Sequence, residues 1–78
     1  MVLLTKEDCP RCKQIKLFID NALNKEQKNK IQIIKKEDNE ELFLEYVKKY
    51  QILSLPVIIN NDDVIINITN STILNLVK

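Results

Sequence analysis

The chain has no histidine and no glycine among its 78 residues. Without histidine, Cys-His and Ser-His-Asp catalysis are excluded, and imidazole is removed from any metal site. Without glycine, a phosphate-cradling glycine loop is excluded. Charge of one sign is not in excess either. Twelve basic and 11 acidic residues are spread along the chain, for a formal net charge of +1. That balance gives no electrostatic footprint for nucleic acid. No apolar run reaches the length of a membrane span, so no membrane partner is expected. The N-terminus enters a short apolar run and meets acidic residues at once. No signal-peptide pattern is read there, and a cytoplasmic setting is the expectation.

Apolar residues make up 45% of the chain, mostly Ile, Leu and Val. They recur in periodic blocks, which is the pattern of a packed core and not of disorder. The length implies one domain over residues 1–78, small enough that it must pack economically.

The blocks alternate in type. Val2-Leu3-Leu4-Thr5 is a short branched apolar run, suited to a central strand covered on both faces. Helical spacing follows from Pro10 to about residue 24, with Ile15, Phe18, Ile19, Ala22 and Leu23 on one face. Proline suits the first helical position, where its missing N–H would be unpaired anyway. Residues 25–30 are polar and read as a connection. Ile31, Ile33 and Ile34 read as a second strand ending near Lys36. A second helix is predicted from about Asn39 to Tyr50, capped by Asp38 or Asn39. Glu40 and Glu41 suit its positive end, and Lys48 and Lys49 its negative end. Val57-Ile58-Ile59 and Val64-Ile65-Ile66 read as two strands joined by the polar turn Asn60-Asn61-Asp62-Asp63, an antiparallel hairpin. A last helix carries Ile73, Leu74, Leu76 and Val77, capped by Asn70 or Ser71. The predicted order is βαβαββα: an α/β fold with a four-stranded mixed sheet and helices on both faces. Its first two strands are parallel through a right-handed crossover.

Cysteine is the scarce residue that carries chemistry. Cys9 and Cys12 are the only two, and they stand in Cys9-Pro10-Arg11-Cys12, where a strand gives way to a helix. Three roles compete. A structural staple gains little at this spacing, because it closes almost no loop. A closed zinc site needs four ligands, and the chain offers two thiols and no imidazole. A redox dithiol fits the placement. A thiolate at a helix start faces unpaired N–H groups and the positive end of the helix dipole, and both stabilise the anion. Lys6, Arg11 and Lys13 are the candidate cations that would add to this, against Glu7 and Asp8. Cys9, preceding the helix, is expected to be the more exposed and to attack. Cys12, one turn in, is expected to be shielded and to resolve the mixed disulfide. Pro10 stiffens the turn. Arg11 is the only arginine beside eleven lysines, and its permanent charge would favour the dithiolate.

Pro56 follows Leu55 at the start of the third strand, where a proline donates nothing to the sheet. The element order, Cys9-Pro10-Arg11-Cys12 and Ser54-Leu55-Pro56-Val57 together resemble the thioredoxin fold, and more closely its glutaredoxin branch. The resemblance spans nearly the whole chain. It implies a cis Pro56 beside the disulfide and a Leu55 whose backbone pairs with an incoming peptide or glutathione. Lys6, three residues before Cys9, resembles the family's contact to a glutathione carboxylate. Two features depart from the family. Arg11 stands where a tyrosine is usual, and Ile66-Asn67-Ile68-Thr69-Asn70-Ser71 replaces the paired glycines and acidic residue that grip glutathione. Asn70 and Ser71 offer a helix start to a carboxylate instead.

The resemblance implies an enzyme of electron transport: a dithiol–disulfide oxidoreductase acting on protein or glutathione mixed disulfides. It would be a monomer with no tightly bound cofactor and no metal. Its electron donor is glutathione, as co-substrate, or thioredoxin reductase. An alternative of another class is a dimer holding a [2Fe–2S] cluster with glutathione.

Overall fold

The computed structural model describes residues 1–78, the whole chain. Its elements run β1 (Val2–Thr5), α1 (Pro10–Ala22), α2 (Lys25–Asn29), β2 (Gln32–Lys35), α3 (Glu40–Tyr50), β3 (Val57–Asn60), β4 (Asp63–Ile65) and α4 (Asn70–Leu76). The strands form one mixed sheet in the order β2-β1-β3-β4. β1 pairs with β2 in parallel, Leu3 opposite Ile33, and with β3 antiparallel, Leu3 opposite Ile58. The sequence-derived α/β class and the mixed four-stranded sheet therefore hold. No helix is long and apolar enough to cross a membrane.

Pleating decides where the core lies. Successive strand residues point to opposite faces, so Leu3 and Leu4, both fully buried, feed different layers. Leu3 and Ile58 pack with Ile15 and Ile19 of α1 and Ile73 of α4. Leu4, Ile34, Val57 and Ile59 pack with Phe43 of α3. The central strands β1 and β3 are apolar on both faces because helices cover both. Each such leucine or isoleucine contributes about 1.5–3 kcal/mol of burial.

The expected helix order lacked one element. Residues 25–30 include a real helix, α2, closed by a capping box: Asn24 Oδ1 accepts the Gln27 N–H at 2.9 Å, and Gln27 Oε1 accepts the Asn24 N–H at 3.0 Å. The helix before it stops at Ala22 because Leu23 turns extended and buries its side chain. Ala22, expected in the core, is exposed. The observed order is thus βααβαββα. Other boundaries shift by a residue or so. β2 begins at Gln32, after a buried Ile31. Asn39 caps α3 by accepting the Leu42 N–H at 3.2 Å. Thr69, neither Asn70 nor Ser71, caps α4 through the Thr72 N–H at 3.1 Å.

A chain without glycine must place side-chain-bearing residues at positive φ. It does so at Asp8 (56°), Gln51 (52°), Asn61 (50°) and Asp62 (70°). Two successive positive values at Asn61 and Asp62 define a two-residue hairpin loop of the type whose twist matches the strands. Asn60 therefore pairs with Asp63, and β4 covers Asp63–Ile65, one residue earlier than the apolar run suggests.

Candidate functional site

The site lies at one end of the sheet. β1 and β2 run parallel and end there, and β3 runs antiparallel to β1 and begins there. Leu4 pairs with Val57, so Pro56, the residue before β3, lies at the end of the sheet where β1 finishes. The chain leaving β1 makes a short loop, Lys6 to Asp8, and delivers Cys9 to the start of α1. Asp8 takes a left-handed conformation just before it.

Cys9 is the N-cap of α1, Pro10 occupies the first turn and Cys12 lies within it. The two cysteines form a disulfide with Cα atoms 5.2 Å apart. The Cys12 N–H donates to Cys9 Sγ at 3.2 Å. A sulfur therefore fills the capping position usually taken by a serine or aspartate oxygen. That N–H is one of the amides left unpaired at a helix start, and it points at Cys9. The expected contrast in exposure does not hold. Cys9 is 6% exposed and Cys12 4%, so both sulfur-bearing residues are buried. Pro10 itself is exposed.

The loop carrying Cys9 is laced to the loop after β2. The Glu7 N–H donates to Glu37 Oε1, and Lys35 Nζ donates to Glu7 Oε1, both at 2.9 Å. The Lys36 N–H donates to the Thr5 carbonyl at 3.0 Å. The Glu7 amide holds the Glu37 carboxyl below its ordinary value of 4.5. The Glu7 carboxylate holds the Lys35 ammonium above its ordinary 10.5. These contacts join residues 28 to 31 apart in sequence, and no local pattern announced them.

Arg11 is held by a distant part of the chain. Its Nη2 donates to the Ile68 carbonyl at 3.2 Å, tying the first turn of α1 to the segment before α4. Asn70 and Ser71 lie just beyond, in the first turn of α4, and both are exposed. Pro56 is buried, and the Leu55–Pro56 peptide bond is cis.

Two depressions flank this end. One, of about 540 Å³, is bounded by Cys12, Lys13 and Lys16 of α1, by Glu7 and Asp8, and by Lys35 of β2. Of its charged residues, Lys16, Lys35 and Asp38 carry no site role in the sequence reading; Lys16 follows Cys12 by one helical turn, which is the signal for it. The other, of about 290 Å³, brings together Lys6 and Leu55, with Lys36 and Leu53 beside them. Within one chain no three His, Cys, Asp or Glu side chains converge as metal ligands, and both sulfurs are spent on each other.

No protein-family model matches the chain, and no curated protein or solved structure is detectably similar to it. The chemistry of the site rests on its own geometry: a buried, reducible sulfur pair at a helix start, with one sulfur receiving a backbone N–H.

Proposed function

We propose that this chain is a dithiol–disulfide oxidoreductase with a thioredoxin-like fold of the glutaredoxin type, residues 1–78 acting as one domain. The observation that carries the reading is the Cys9–Cys12 disulfide across the first turn of α1, with the Cys12 N–H on Cys9 Sγ. In the reduced protein the same amide stabilises a Cys9 thiolate, which makes Cys9 the nucleophile.

The reaction then balances in two exchanges. The Cys9 thiolate attacks one sulfur of a substrate disulfide, forming a mixed disulfide and releasing one substrate thiolate. The Cys12 thiolate attacks Cys9 Sγ, releasing the second substrate thiolate and leaving the Cys9–Cys12 disulfide. Two electrons pass from protein to substrate. Two thiols from glutathione, or the dithiol of a thioredoxin reductase, return them. Pro10 and Pro56 shape the turn and its opposite wall, and Arg11 anchors α1. Lys6 and Leu55 are the substrate-binding pair, supported by the groove they share. Asn70 and Ser71 are assigned to a carboxylate of glutathione. The protein works as a cytoplasmic monomer on disulfide-bearing proteins, with no resident cofactor, metal, nucleic acid or membrane.

The test is reduction of a disulfide substrate by the purified protein, with glutathione and with thioredoxin reductase as donors in parallel. Cys9→Ser is expected to abolish turnover with either. Cys12→Ser is expected to abolish dithiol turnover and to accumulate the mixed disulfide at Cys9, visible as added mass. Full activity in Cys9→Ser would overturn the assignment.

A further inference from the structure

Strand alternation locates an opening on the α1 side of the sheet. Leu3 pairs with Ile33 and Thr5 with Lys35, and all four side chains project to the face on which α1 packs. Leu3 is fully buried there, while Ile33 is 38% exposed. α1 therefore covers β1 and leaves the edge strand β2 open. The space between them is the cavity of about 540 Å³ that Cys12 helps to line. The groove holding Lys6 and Leu55 lies on the other side of the sheet, against Phe43 and Val47 of α3, and neither cysteine lines it.

Thr5 sets this cavity apart from an uneven surface. It is the one buried polar residue of the chain, 7% exposed. Its carbonyl accepts the Lys36 N–H. Its hydroxyl has no partner within the chain, yet no fully enclosed polar atom goes unpaired, so the hydroxyl opens into the cavity that Thr5 lines. Charge is sorted by sign around it. Lys13 and Lys16 stand on α1, and Asp8 and Asp38 on the loops before α1 and after β2. None of the four is in an ion pair, because the one salt bridge joins Lys35 to Glu7. A ligand carrying both a carboxylate and an ammonium satisfies the two edges at once.

Cys12 gives such a ligand a reaction. When a thiolate attacks a disulfide, the exchange is faster if the sulfur that departs is the better leaving group. Here that sulfur is Cys9 Sγ, since the Cys12 N–H at 3.2 Å stabilises it as the thiolate. Attack at Cys12 is therefore the easier route to re-reduction, and the cavity is lined by Cys12 and not by Cys9.

We infer that the cavity between α1 and β2 binds a small zwitterionic thiol, the electron donor, which re-reduces the protein by attacking Cys12. The inference rests on the oxidoreductase reading and deepens it: the disulfide substrate meets Cys9, and the reductant enters from a different side. The donor thiolate forms a bond to Cys12 Sγ, the Cys9–Cys12 bond breaks, and Cys9 leaves as the thiolate. A second donor thiolate attacks the donor sulfur of this mixed disulfide. It releases the donor disulfide and the Cys12 thiolate. Two electrons enter the protein, and the protons of the two donor thiols pass to Cys9 and Cys12 or to solvent.

The experiment follows reduction of the oxidised full chain by alkylation and mass spectrometry. The donors are cysteine, N-acetylcysteine, which lacks the ammonium, and cysteamine, which lacks the carboxylate, at equal thiolate concentration. Cysteine is expected to be about tenfold faster than either. Lys16→Glu is expected to erase that preference, read as a ratio of rates within the variant so that any change in stability cancels. Iodoacetamide present during the reaction is expected to trap Cys9 alkylated with cysteine bound at Cys12. Trypsin cleaves after Arg11 and so separates the two residues. Cysteine bound at Cys9 would overturn the inference, as would equal rates for the three donors or a preference that survives Lys16→Glu. Glutathione is run alongside: a ratio that falls with it too assigns the cavity to zwitterionic thiols up to tripeptide size, and a fall with cysteine alone assigns it to the amino acid. If no thiol reduces the disulfide, the oxidoreductase reading fails; if reduction proceeds with entry at Cys9, only the present inference does.

Discussion

Arg11 donates from its guanidinium to the carbonyl of Ile68 at 3.2 Å, across 57 residues of sequence. The bond joins the motif that holds the sulfur pair to the strap of chain between β4 and α4. Ile68 is itself 4% exposed and packs in the core under α1. A residue that the sequence suggested as a source of charge is thus also a tether. A part-buried hydrogen bond of this kind contributes about 1 kcal/mol net.

The tether and the charge are separable. Arg11→Lys keeps the charge and loses the planar donor, while Arg11→Met loses both. Both are expected to lower unfolding stability by a similar amount, about 1 kcal/mol, read from urea midpoints. A lysine variant as stable as wild type would show that charge alone matters at this position.

A second prediction concerns alkaline pH. The Tyr50 hydroxyl donates to Asp62 Oδ1 at 2.5 Å, joining the end of α3 to the hairpin loop. That hydrogen bond to the carboxylate pushes the phenol above its ordinary 10.0. A raised value means the fold favours the protonated phenol. Its contribution is fully present below the unfolded value and is lost as pH rises through the folded one. Stability should therefore fall above about pH 10. In Tyr50→Phe that Tyr50-dependent part of the fall should vanish. Urea midpoints across the alkaline range, wild type against variant, measure it.

Gln51 takes the left-handed conformation at the C-cap of α3, with φ 52° and ψ 51°. A glycine adopts this without the Cβ clash. Gln51→Gly is expected to raise stability by about 0.5–1 kcal/mol. The same change at Gln14, in the middle of α1, should lower it by about the same amount. Thermal or urea unfolding of the two variants gives opposite signs if the backbone geometry is right.

The face that α4 buries is testable by truncation. Ile73 is fully buried and Leu74 is 42% exposed, though both read as apolar helix residues in sequence. Ile73→Ala is expected to cost about 2–5 kcal/mol. Leu74→Ala should stay within about 0.5 kcal/mol. Similar losses in both would mean that α4 sits rotated.

Much of this chain could be read without its structure because the informative signals are local. The period of the apolar residues fixed β1 and the placement of α1, α3 and the hairpin. Proline chemistry put Pro10 at the helix start, and the spacing of Cys9 and Cys12 put a sulfur pair on its first turn. The α2 signal was also local, in Asn24 and Gln27, and was hidden by the polarity of the segment around it. Exposure was not local. Cys9 and Cys12 are both buried, and Ala22, on the same apolar face as the buried Leu23, is exposed, because what covers a residue comes from distant parts of the chain. The same holds for the Glu7–Glu37 and Arg11–Ile68 contacts and for the meeting of Lys6 with Leu55. Sequence by itself determined which sulfurs can react with one another and on what element they sit, since helix period and a two-residue spacing suffice for that. Tertiary structure alone decided what surrounds them: the parallel and antiparallel pairing of β1 carries Pro56, Lys36 and Leu53 to the end of the sheet where Cys9 begins its helix.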